Sequence, residues 1–198
     1  MLWYCAGVQV ETPVPSVFEK EYSMKKSIQT RHLVFLSLCV CGGMIAKRVV
    51  TPVLNPLTDL IRLPGGGAAA AFSLLFIVLG CTVTDWPFAA TLAALVQGTL
   101  AFALGMTGYQ GAFTLLTYTV PGVATDIVRR FTPRGSEIYF FLSCCLGNLL
   151  CAVVSNLLVF HLRSLTLLLW LLVAACFGGL AGTLGHLIYR RLEKAGVL

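Results

Sequence analysis

The residues of this chain able to do chemistry are amides, hydroxyls and a few isolated charges set in an apolar sequence. Asn55, Asp59 and Arg62 precede a Pro-Gly-Gly run, and Tyr109 with Gln110 interrupts a later apolar stretch. Thr114, Thr117, Tyr118 and Thr125 share one stripe, broken by Pro121-Gly122. Asn148 and Ser155 recur at i, i+7 with Asn156 beside them. Such groups bind rather than react. They offer hydrogen bonds to a polar solute, and Arg62 can pair with Asp59 or with an anionic ligand group. Polar side chains at membrane depth face either a cavity or a neighbouring helix. Two readings therefore stand: a small pocket opening outward, or Asn and Thr cross-links between helices.

Patterns for catalysis are missing: the chain has no HExxH, no P-loop, no GxSxG and no carboxylate pair at helical spacing. His32 and His161 stand at the ends of apolar runs and His186 near the last one, as interfacial or packed imidazoles. Asp126, beside Arg129 and Arg130, reads as a solvated helix end. Cys39, Cys41, Cys81, Cys144, Cys145, Cys151 and Cys176 lie inside apolar runs with no C-x-x-C pair. They read as small packing residues rather than metal ligands or disulfides. No enzymatic activity, metal or cofactor is expected.

The elements that must position these groups are helices in lipid. The chain has 198 residues, a mean hydropathy of +0.87, 58% hydrophobic residues and 11% charged ones. Soluble domains carry about a quarter charged residues, so this surface is too apolar for water. Apolar runs give an all-α integral membrane protein with six spans, at about 33–53, 66–84, 87–106, 113–128, 136–160 and 165–189. Pro52 and Asn55-Pro56 punctuate the first span, and the segment from Asn55 to Gly67 reads as a long linker. Residues 1–32 read as a polar tail, with Met24-Lys25-Lys26 as a candidate start; 33–190 form the membrane domain and 191–198 a short C-terminal tail.

The net charge of +6 reports orientation rather than nucleic-acid binding, because no basic stripe carries interleaved aromatics. Lys20, Lys25, Lys26, Arg31, Arg129, Arg130, Arg134, Arg190, Arg191 and Lys194 fall on one side of the six spans. Lys47, Arg48, Arg62 and Arg163 fall on the other. The excess places both termini in the cytoplasm. Small residues recur at helical spacing in two spans: Cys39, Gly42, Gly43 and Ala46 in the first, and Ala175, Gly178, Gly179, Gly182 and Gly185 in the last. Faces of this kind let helices approach closely. The last span's face is expected to pack inside the bundle, the first span's to meet another subunit.

The stretches NPLTDLIRLPGGGAAAAFSLLFIVLG and FAATLAALVQGTLAFALGMTGYQGAFTLLTYTVPGVATDIV resemble S components of energy-coupling factor transporters. The likeness runs over about residues 33–190, through Pro-Gly-Gly, Leu-Val-Gln-Gly, Pro-Gly and Asp in that order. It implies a subunit of the bacterial cytoplasmic membrane that captures a micronutrient, a vitamin or precursor, outside and releases it inside. It also implies partners: a coupling transmembrane subunit and two cytoplasmic ATPases. The family couples through small residues of the first span at four-residue spacing, often Ala-x-x-x-Ala; here the matching pairs are Gly42/Ala46 and Cys39/Gly43, neither of them the consensus pair. The solute is expected in the outer half of the bundle, between spans four to six and under the Asn55–Arg62 linker. Its binding residues would be Asn55, Asp59, Arg62, Tyr109, Gln110, Tyr118, Asn148 and Asn156, and the tyrosines suit a flat heterocycle. The rival classes are an MreD-like membrane scaffold with no small-molecule ligand and an integral-membrane enzyme, the latter disfavoured by the missing acid–base pairs. A self-contained secondary transporter is a further alternative, without clear internal repeats.

Overall fold

A computed structural model describes residues 17–60, 67–84 and 86–196, with side chains from Thr30 onward except those of Leu57, Asp59 and Tyr109. Among the described residues every regular element is helical: α1 (Val17–Leu60), α2 (Gly67–Val83), α3 (Ala89–Ala103), α4 (Thr114–Phe131), α5 (Glu137–Ser155) and α6 (Ser164–Lys194). A 3₁₀ segment, Gly108–Phe113, leads into α4, and a π turn, Asn156–Phe160, ends α5. Three stretches are long and apolar enough to cross a membrane: Thr30–Pro56, Glu137–Phe160 and Ser164–Lys194. Helices α2 and α3 are apolar but shorter, at 17 and 15 residues. Large apolar side chains stand exposed along the bundle, among them Leu38, Ile45 and Val49 on α1 and Leu168 and Leu172 on α6.

The first helix departs from the sequence reading. It continues through Pro52 and Pro56 to Leu60, so Asn55 stands on a helix and not in a linker. Each proline removes a backbone donor. The carbonyls that lose their donors are those of Arg48 and Pro52. The nearby hydroxyls bond others, Thr51 Oγ1 donating to the Lys47 carbonyl at 2.6 Å and Thr58 Oγ1 to that of Asn55 at 2.9 Å.

Glycines set the distances between helices. A Cβ on Gly182 would stand 2.6 Å from the Phe140 carbonyl oxygen, and one on Gly178 2.8 Å from that of Cys144. The α6 face read from sequence is therefore the seam with α5. Gly122 of α4 seats in the same way on α3, its hypothetical Cβ 2.7 Å from the Ala90 carbonyl. The α1 face is also used within the chain. Gly43 abuts the Ser73 carbonyl and the Gln97 amide, Gly42 meets the Phe76 ring, and Cys39 lies against Gly80. The contacts between Gly43 and Ser73 and between Cys39 and Gly80 run α1 antiparallel to α2. Those between Gly178 and Cys144 and between Gly182 and Phe140 do the same for α5 and α6.

At one end of the bundle, polar groups from α4 close the α2–α3 connection. Phe88, before α3, has φ of 63° and offers no capping side chain. Asp126 takes over from across the fold. Its Oδ2 accepts from the Thr91 backbone N–H at 2.8 Å and from the Thr91 hydroxyl at 2.6 Å, and its Oδ1 from the Ala90 N–H at 3.3 Å. These N–H groups are among those a helix start leaves orphaned, and a carboxylate there also suits the helix dipole. Arg129 donates to the carbonyls of Trp86 and Thr84, both at 2.8 Å. The expected solvated helix end is instead a buried cap, because α4 packs against the start of α3.

Candidate functional site

At the opposite end the helices part around a cavity of about 580 Å³. Ligand pockets commonly occupy about 300–1,000 Å³. One wall is α1, whose Lys47, Thr51 and Asn55 follow at i, i+4 and i+8. Ser73 and Leu74 of α2, Thr117, Tyr118 and Pro121 of α4, and Asn148, Cys151 and Ser155 of α5 form the remainder. Trp170 from the start of α6, Phe160 from the π turn and Gln110 from the 3₁₀ segment complete the lining.

Four sequence-predicted residues come together here: Asn55, Gln110, Tyr118 and Asn148. Gln110 is the clasp of a three-residue chain. Its Nε2 donates to Ser155 Oγ at 3.0 Å and its Oε1 accepts from Thr117 Oγ1 at 2.7 Å, tying the 3₁₀ segment to α4 and α5. Asn148 crosses from α5 to α6, its Nδ2 donating to the Ala174 carbonyl at 2.8 Å. Both sequence readings of Asn148 thus meet in one residue, which bonds a neighbouring helix and borders the cavity. Its Oδ1 has no donor among the described residues. Asn55 Oδ1 is buried and likewise without a partner.

Asn156 does not line the cavity. It organises the end of α5, its backbone carbonyl accepting from the His161 N–H at 2.9 Å and its side-chain Oδ1 from the Leu162 N–H at 2.8 Å. His161, at φ of 45°, makes the turn that this pair of bonds closes. Arg62 lies outside the described residues, as do the side chains of Asp59 and Tyr109. The site also sits differently from the expectation. Its walls include α1 and α2, because α1 runs on past its prolines and brings its own polar stripe to the cavity.

Lys47 and Trp170 are among the lining residues that sequence reasoning missed, as are Arg48, Thr51 and Ser73. Lys47 followed by Arg48 looks like the basic end of a span, whereas both stand within α1 and border the cavity. The Lys47 ammonium donates to the Tyr118 hydroxyl and lies 4.4 Å from the centre of that ring. The signal available in sequence was the stripe Lys47, Thr51, Asn55, which is one face of a helix if the prolines do not end it. Trp170 is buried, edge-on to Phe160 with centroids 5.3 Å apart. Gly67, at the start of α2, makes room for its indole nitrogen: a Cβ there would lie 3.2 Å from Nε1.

The residues expected to meet a partner, Cys39, Gly42, Gly43 and Ala46, are turned toward the bundle. Cys39 and Gly43 are buried, and Gly42 and Ala46 are half-buried. The outward stripe of α1 carries Leu38, Ile45, Val49 and Val53 instead. Comparison of the chain with protein-family models, with curated proteins and with solved structures gives no match.

Proposed function

We propose that the chain is a substrate-binding subunit of a membrane transporter, an S component of the energy-coupling factor type, that takes up a small micronutrient. In this reading six spans cross a bacterial cytoplasmic membrane with both termini inside, and the cavity opens outward. The observation that carries it is the cavity, enclosed by five helices and lined by polar groups whose hydrogen-bonding capacity is only partly used. A scaffold has no need of convergent polar and aromatic groups around such a space. Placing Lys47 inside the bundle also sharpens the asymmetry of loop charges that sets orientation. The coupling subunit, with its two ATPases, would meet the outward stripe of α1 at Leu38, Ile45 and Val49, since Cys39 and Gly43 already hold α2.

The test is to purify the chain, denature it and identify released small molecules by mass spectrometry, with melting curves alongside. The expected result is one low-mass metabolite that raises the melting temperature when added back. Release of nothing, with no metabolite fraction shifting the melting curve, would leave the MreD-like scaffold as the better account.

A further inference from the structure

The cavity holds a cation for which the described part of the fold supplies no carboxylate. Lys47 lies inside the apolar stretch Thr30–Pro56, and its partners are the hydroxyl and ring face of Tyr118. Both offer partial negative charge only. Arg48 borders the same space, and among the described residues neither side chain forms an ion pair. The described acidic groups lie elsewhere. Asp126 is saturated at the far end of the bundle, Glu137 starts α5 at that end, and Glu193 is in the last turn of α6. Asp59 stands twelve residues beyond Lys47 on the same helix, which is about 18 Å of axial rise. Lys47 is half-buried and Arg48 exposed. An ammonium among apolar helices is expensive and persists where it faces a water-filled cavity or meets an opposite charge. A cavity-facing cation is placed to receive such a charge.

Three further groups describe the remainder of the complement. Trp170 borders the cavity, and among the described residues its indole N–H has no acceptor and Asn55 Oδ1 and Asn148 Oδ1 have no donor. Unpaired polar atoms at a site built to hydrogen-bond its ligand are what reject analogues lacking the matching group. Tyr118 and Trp170 supply aromatic surface for a flat body.

We propose that the solute is an organic anion, its carboxylate or phosphate held by Lys47 and Arg48 and its flat, nitrogen-bearing body against Tyr118 and Trp170. This rests on the reading of the cavity as a solute site and names the chemical class that the site takes.

The experiment passes the small-molecule fraction of a bacterial extract over the purified full chain and identifies retained solutes by mass spectrometry. Wild type is compared with Lys47→Met, Lys47→Arg and Arg48→Gln. Retained solutes are expected to carry a carboxylate or phosphate. Lys47→Met should cut retention about ten-fold or more, the size of one lost charge-assisted bond, while Lys47→Arg retains the same solutes. A purely structural lysine would lower the melting temperature of Lys47→Met without extract. A ligand-binding one leaves it equal or higher, because an uncompensated charge is gone. Wild type alone gives a second measurement: the neutral amide or dephosphorylated form of the retained acid should compete about ten-fold more weakly. Retention of neutral or cationic solutes, or undiminished retention by Lys47→Met, overturns the anion assignment and leaves the binding reading standing. Retention of nothing, or of phospholipid alone, overturns both.

Discussion

The two ends of the bundle treat their polar residues in opposite ways. At the Asp126 end the carboxylate accepts three hydrogen bonds and Arg129 donates to two carbonyls. At the cavity end, among the described residues, Lys47 bonds to a tyrosine and to no carboxylate, Asn55 Oδ1 is unpartnered and the indole N–H of Trp170 has no acceptor. Burying a polar group without a partner costs about 1–3 kcal/mol by mutational measures, and an ammonium more. The Asp126 and Arg129 network needs no explanation beyond folding. The unsaturated end does, and a bound solute is the economical one. Unpartnered buried polar atoms also occur away from the cavity, at Gln97, Ser143 and His186 among the described residues, so what sets the cavity end apart is that such an atom stands there beside a cation around one open space.

The largest change expected on the saturated side comes from the α5–α6 seam. Gly182→Ala sets a methyl 2.6 Å from the Phe140 carbonyl oxygen, and backbone cannot turn aside as a side chain can. Overpacking of this kind costs about 1–3 kcal/mol. The variant should melt well below wild type in detergent or fail to yield folded protein; a normal melting curve would show the seam to be looser than drawn.

Asp126→Ala should come next. It strips the caps from Ala90 and Thr91 and leaves both N–H groups without acceptors, for about 1–2 kcal/mol. Solute retention per folded molecule should stay at the wild-type level. A retention defect as large as that of Lys47→Met would erase the contrast between the two ends.

Asn148→Ala tests the residue that belongs to both categories. Losing the bond to the Ala174 carbonyl should cost about 0.5–1.5 kcal/mol of stability. Losing Oδ1 from the cavity should weaken solute binding by about ten-fold. Calorimetric titration beside a melting curve separates these, and a fall in stability with affinity unchanged would reduce Asn148 to a helix cross-link. The smallest effect is expected on the outer stripe of α1. Ile45→Ala, at an exposed position, should stay within about 0.5 kcal/mol and leave solute retention unchanged. If it lowers copurification with a coupling subunit, that stripe and not the Gly43 face is the docking surface.

Much of the helical layout was legible in the residues. The apolar runs at 66–84, 113–128 and 165–189 anticipate α2, α4 and α6 to within a few positions, because hydropathy and length are local properties. The glycine ladder of α6 announced a close seam, since helix packing distance is set by side-chain size. The end of α1 was not legible. Proline rules place a boundary at Pro52 or Pro56, whereas the helix runs through both to Leu60. Four of the eight expected binding residues border the cavity, while Asn156 closes a turn that no spacing rule foretells.

By itself the sequence determined that the chain is built of apolar helices, where most of them begin and end, and which faces are small enough to meet. Only the tertiary structure decided which polar residues are bonded within the fold and which border the cavity. Asp126 finds Ala90 and Thr91 across 36 and 35 positions, Lys47 finds Tyr118 across 71, and Gln110 finds Ser155 across 45. Whether a polar side chain ends in a bond or at a cavity depends on how each helix is rotated against its neighbours. That rotation is fixed by packing between segments far apart in the chain, and a one-dimensional pattern does not carry it.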